Sequence, residues 1–149
     1  MLIPAGFLVL ILLAALAVDS AAAYLGQQQL HDALEAAAND AVTAGLSDRV
    51  FYSHGAVVIN PALAARTVCL DIASQSDHDL HAIQVWMAVD GPALRLRATA
   101  TVEAVFGRAV PGFGQRHVAA EAAAIVAGHA TGANAPSASN APMAQLSCA

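Results

Sequence analysis

The sequence predicts an α+β protein in which one long N-terminal helix packs on a small antiparallel β-sheet, and three observations carry that reading. Residues Met1 to Val18 form an apolar run without a charged side chain, and Asp19 is the first ionisable side chain. A helical stripe then continues through Leu30, Ala33, Leu34, Ala37, Ala41 and Leu46, spaced as one face of a helix is. Beyond Gly45 the apolar spacing shortens to every second residue, the period of a half-buried strand.

The helix comes first. Pro4 suits an opening turn, where a backbone N–H has no intrahelical partner to lose. Gln27, Gln28, His31, Asp32, Glu35, Asn39 and Asp40 fall off the apolar stripe, so the second half is amphipathic where the first is apolar all round. Gly26 costs about 1 kcal/mol relative to Ala but does not by itself end a helix, whereas Gly45 is placed to terminate it. One helix from Pro4 to Ala44 is expected, about 60 Å long at 1.5 Å per residue.

A hydrocarbon core about 30 Å thick takes roughly 20 apolar residues of helix. Residues 1–23 therefore read as a transmembrane anchor and 24–46 as an amphipathic spine. The competing reading is an export signal, since the small residues ending at Ala17 and at Ala23 both resemble cleavage sites and a cut there releases a secreted binding domain. The absence of a basic n-region and the continuation of the helical pattern past both sites favour retention.

Residues 47–128 are expected to form the sheet domain. Asn60 is an N-cap candidate with Pro61 at the first helical position, giving a short helix over Pro61 to Ala65. In "RTVCLDIA" Val68, Leu70 and Ile72 alternate with Thr67, Cys69 and Asp71, which predicts a strand. "HAIQVWMAVD" alternates Ile83, Val85, Met87 and Val89 against Gln84, Trp86 and Asp90. After the turn signal Asp90-Gly91-Pro92, Leu94, Leu96, Ala98, Ala100, Val102 and Ala104 alternate with Arg95, Arg97, Thr99, Thr101 and Glu103, the strongest strand pattern in the chain. "QRHVAAEAAAIVAG" is ambiguous: its alanines favour helix, while an otherwise unpaired sheet edge favours a strand with Val118, Ala120, Ala122, Ala124 and Val126 inward. From His129 the composition of Ala, Ser, Asn, Pro and Gly predicts a disordered tail over 129–149.

Composition excludes several functions. Eleven Asp and Glu stand against six basic residues, a formal net charge of −5, and no basic cluster exists that would bind nucleic acid through its phosphates. No nucleophile, acid–base pair or phosphate loop is apparent, so no catalytic residue, cofactor or resident metal is assigned. Asp77, His78, Asp79 and His81 in "SQSDHDLH" are ligand types for zinc, but without a third His or a Cys nearby they read as a polar loop. Ser53-His54-Gly55 lacks a nucleophile-elbow context and reads as a turn. Trp86, on the polar face of its strand, is either a partner contact or core beneath the spine helix. Arg95 and Arg97 read as a solvated face, with Glu103 or Asp90 as ion-pair partners. The two cysteines, Cys69 and Cys148, permit one disulfide in an oxidising compartment; the alternative is two unpaired thiols, with Cys69 buried.

The order of apolar anchor, "VDSAAAYLGQQQLHDALEAAANDAVTAG", "INPALAAR" and "ATATVEAVFGRAVPGFGQRHVAAEAAA" resembles the TadE/TadG-like proteins of tight-adherence (Flp) pilus assembly. Asp19 just after the apolar run, Tyr24, the Leu and Ala stripe and the alternating terminal strands carry the similarity, which covers roughly Leu2 to Val126. The resemblance implies a pilin-like fold and a non-enzymatic minor pilin or pseudopilin. Such a subunit would be single-pass in the bacterial cell membrane with its C-terminal body outside the cytoplasm. Its implied partners are membrane lipid and other pilin or assembly subunits, met through the N-terminal helix. The stripe Leu30, Ala33, Leu34, Ala37 and Ala41 is the candidate helix-packing interface, docking on the protein's own sheet or on a neighbour.

Overall fold

The structure is a computed structural model that describes residues 2–46, 58–75, 80–107, 114–126 and 141–148. Helix α1 runs unbroken over Leu2–Ala44, 43 residues. Before Asp19 its described side chains are exposed almost all round. From Asp19 onward one face is buried, through Gly26, Leu30, Ala33, Leu34, Ala37, Ala38, Ala41 and Val42, the steps of three and four that keep residues on one side of a helix. The Gly45 N–H donates to the Ala41 carbonyl at 2.8 Å and the Gly45 carbonyl accepts from Asn60 N–H at 2.7 Å. The helix therefore ends where the chain is tied to its next described segment.

Helix α2 (Pro61–Gln75) corrects the sequence expectation of a short helix followed by a strand. Its start is as expected: Asn60 Oδ1 accepts from the N–H groups of Ala62 at 3.0 Å and Leu63 at 3.4 Å, the N-cap arrangement. The helix then continues through Thr67, Val68, Cys69 and Leu70. Val68 and Ile72 are buried as expected, but their partner is Ala64, four residues before Val68, and Leu70 is 61% exposed. An apolar residue at every second position and one at every fourth coincide at Val68 and Ile72, and burial against α1 decides in favour of the helix despite the β-branched residues.

The sheet contains β1 (Leu80–Asp90), β2 (Ala93–Glu103), β3 (Gln115–Ile125) and β4 (Ala144–Gln145). Its order is β3-β2-β1-β4, with every neighbouring pair antiparallel. The β1–β2 hairpin turns at Asp90-Gly91-Pro92, where Gly91 has φ +57°, a conformation that glycine adopts without steric cost. The ambiguous segment is β3, paired without a break from Ala93↔Ile125 to Glu103↔Gln115; satisfying the open edge of β2 outweighs the helix propensity of its alanines. Leu94, Leu96, Ala98, Ala100 and Val102 on β2 and Val118, Ala120 and Ala124 on β3 are buried, so both strands alternate as expected. In β1 the alternation slips between His81 and Gln84, where the register shifts and Ala82 takes φ 52°, a bulge.

The expected disordered tail is corrected at its end. Met87 and Trp86 of β1 pair with Ala144 and Gln145, and Leu146 N–H donates to Val85 O at 2.8 Å, so an edge otherwise open is covered. Helix α1 packs across β2 and β3 on one side and against α2 on another, and one core joins all three.

The α2 assignment makes a prediction. Ile72→Ala should cost about 2–4 kcal/mol, as for a buried aliphatic residue, whereas Leu70→Ala should stay within about 0.5 kcal/mol. Denaturant unfolding of the two variants in detergent checks this, since a strand with both residues inward would make the two costs equal.

Candidate functional site

The site is the junction at which α1 passes from its free half to its docked half. Its two ends are set by topology. β2 runs antiparallel to α1, so Gly91 lies near the C-terminal end of the helix, where Ile59 N–H donates to Gly91 O at 3.3 Å. The end of β2 lies near Asp19.

Asp19 is 7% exposed. Its Oδ1 accepts from Phe106 N–H at 2.9 Å and its Oδ2 from Gly107 N–H at 2.8 Å. A carboxylate accepting two backbone N–H bonds is a charge-assisted pair, about twice as strong as neutral equivalents. It also meets the requirement that a buried charge be hydrogen-bonded. Ala104 N–H, one residue past β2, donates to Gly114 O at 3.0 Å, so the turn is held to β3 as well as to the helix.

Two turns of helix further on, Gly26 explains how close the sheet lies. A Cβ there would fall 2.5 Å from Val102 Cγ2, a separation real side chains do not tolerate. The glycine that weakens the isolated helix thus makes room for β2. Beside it a groove is lined by Ala22, Leu25, Gln29, His81, Val102, Glu103 and Val105. His81 Nε2 stands 4.0 Å from Glu103 Oε1.

The candidate packing face, Leu30, Ala33, Leu34, Ala37 and Ala41, is buried, with none of the five more than 8% exposed. Its occupants are the protein's own sheet and α2, so a second subunit does not reach it while the body stays docked. The exposed apolar residues of α1 lie before it, from Phe7 through Leu16 and Val18 to Tyr24 and Leu25.

Cys69 and Cys148 form a disulfide with Cα atoms 5.2 Å apart. Cys69 projects from α2 rather than from the polar face of a strand. Trp86 faces away from α1, beside Arg97, Thr99 and Met143, and so is not core beneath the spine. Arg97 Nε pairs with Glu121 Oε1 at 3.6 Å, an acid other than the Glu103 or Asp90 expected, and Arg95 Nη2 donates to Ala141 O at 3.4 Å. Among the described residues no group of three or more His, Cys, Asp or Glu stands ready to hold a metal ion; Asp77, His78, Asp79 and Ser53-His54-Gly55 lie outside them.

Neither a protein-family model, nor a curated protein, nor a solved structure matches the chain. Asp19 was visible in the sequence as the first charge after the apolar run, but its partners lie 87 and 88 residues away. No local signal marks them.

Two predictions follow from this geometry. Asp19→Ala should leave the Phe106 and Gly107 amides without their acceptor and speed their hydrogen exchange by about tenfold or more, at about 1.4 kcal/mol per factor of ten; unchanged protection would mean that the carboxylate does not hold the turn. The second concerns Asp71 on α2, whose Oδ2 is buried without a hydrogen-bond partner. Burial first, and Asp40 second, push its carboxyl above the usual range. A raised folded-state value means that the folded protein binds the proton more tightly, so stability is gained as pH falls through that value and lost as it rises. Asp71→Asn should raise stability at pH 7 and flatten this part of the pH profile, which thermal unfolding between pH 3 and 7 measures.

Proposed function

We propose that the protein is a single-pass, membrane-anchored and non-enzymatic subunit of a bacterial envelope assembly, a minor pilin or pseudopilin-like component of tight-adherence pilus assembly. The observation that carries this reading is the division of one continuous helix. α1 is long and apolar enough to cross a membrane, and its apolar surface is exposed until Asp19, where the body begins to cover one face. A soluble protein pays for such a surface in water, whereas a bilayer removes the cost. The sequence resemblance to TadE/TadG-like proteins supplies the pilus context.

The disulfide favours a body outside the cytoplasm, because thiols inside are kept reduced. Partners are membrane lipid and other subunits, the latter through the free half of α1. Release by cleavage after Ala23 fits less well, because it would discard Asp19 and leave the Phe106 and Gly107 N–H groups without their acceptor; cleavage after Ala17 would keep that clamp.

The test is topology in the native membrane. Protease added outside spheroplasts should digest residues beyond about Ala44 while the anchor stays in the membrane, and the intact mass should retain residues 2–23 with no free thiol. Full protection of the body, or an exported form beginning after Ala17 or Ala23, would sink the proposal.

A further inference from the structure

Val105 and Phe106, which follow β2, are 59% and 51% exposed. Two large apolar side chains exposed directly after a strand end are unusual on a body whose β1–β2 turn is Asp90-Gly91-Pro92. Their position is fixed rather than incidental, because the Phe106 and Gly107 N–H groups bond to Asp19. Asp19 lies where the all-round apolar surface of α1 ends, directly after the exposed Leu16 and Val18. Turn and anchor therefore meet at one level of the helix axis, with exposed apolar side chains on both.

The Asp19 carboxylate at that level is already hydrogen-bonded by backbone, so lowering the turn into a less polar layer leaves that charge paired. The protein is acidic overall, so attraction to anionic headgroups does not enter; the contact is one of apolar partition.

We propose that the Val105-Phe106 turn is a second membrane contact, inserted into the interfacial layer of the bilayer and fixed beside the anchor by Asp19. The inference rests on the anchored reading of α1. Its occupant is the glycerol and upper acyl region of the lipid. A second contact beside the anchor constrains the tilt and rotation of the body on the membrane, where a single helix fixes neither.

The experiment uses tryptophan quenching in the full chain. Trp86 pairs with Arg97, six residues along β2 from its end at Glu103 and so about 20 Å from that end at 3.3 Å per residue. It is a built-in control. Phe106→Trp is made in a Trp86→Phe background, and the variant and the natural chain are reconstituted into phosphatidylcholine vesicles carrying bromine on the upper acyl carbons. With both proteins floating with the vesicles, the tryptophan at 106 should be quenched at least twofold and Trp86 left unchanged. Adding Asp19→Ala should halve the quenching at 106 or reduce it further.

Equal quenching at 106 and 86 in floating vesicles overturns the inference while leaving the anchor intact. Retained quenching after Asp19→Ala overturns the role given to Asp19. Failure to float overturns the anchor itself, and the inference with it. Phe106→Ser, with quenching read from a tryptophan placed by Val105→Trp, repeats the test if the first variant does not fold.

Discussion

A helix that is apolar all round for its first half and one-faced for its second must change surroundings along its length, and here the change falls on a single residue. Asp19 is the first charge of the chain, the first deeply buried side chain of α1, and the acceptor for two N–H groups from the far end of β2. An acid at that point is costly in hydrocarbon and cheap in water. Between the two it is stable only if its oxygens are satisfied by something the protein brings to it. The turn after β2 does this, and the height of the whole body along the helix follows.

From that point the docking is made with small residues. Alanines 33, 37, 38 and 41 on α1 face a sheet whose buried positions include alanines 98, 100, 120 and 124, and Gly26 admits Val102 where even a methyl group would collide. Small side chains let a helix lie close to a sheet, but each removes little apolar area from water. The larger buried residues, Leu30, Leu34, Ile59, Val68, Leu94 and Leu96, supply most of the area. The disulfide adds a constraint of another kind, joining α2 to the segment that covers the edge of β1. By the chain-entropy model a closure of this length is worth roughly 4 kcal/mol. Because β4 and Leu146 are paired with β1, that closure restrains an ordered strand rather than a loose end.

What the sequence made legible, and what it hid, divides along the range of the interactions. α1 was readable because about twelve turns of helix and an end at Gly45 are local facts. β1 and β2 were readable because their alternation is long. The stretch from Arg66 to Ala73 was misread because period two and period four share Val68 and Ile72, and only the exposure of Leu70, a tertiary fact, separates them. β3 stayed open for a related reason: alanine reports little about face or state, and the deciding force was the free edge of β2. The Asp19 clamp and β4 depend on partners dozens of residues away, and no spacing rule reaches that far.

The burial of the stripe from Leu30 to Ala41 has a consequence for any assembly built from this chain. A face committed to its own sheet cannot also serve a neighbour, so association through α1 is confined to the part before the body, roughly Leu2 to Leu25. Within a bilayer that part gains nothing from expelling water, since lipid tails are as apolar as leucine. Close packing must drive association there instead, and Ala14, Ala15, Ala17 and Ala21 are the small residues that would let helices approach. On the anchored reading the same kind of residue would serve two tasks on one helix under two driving forces. From Ala33 to Ala41 the alanines bring a sheet to the helix, where apolar burial is favourable in itself; before the body they would bring helix to helix in lipid, where only shape complementarity remains.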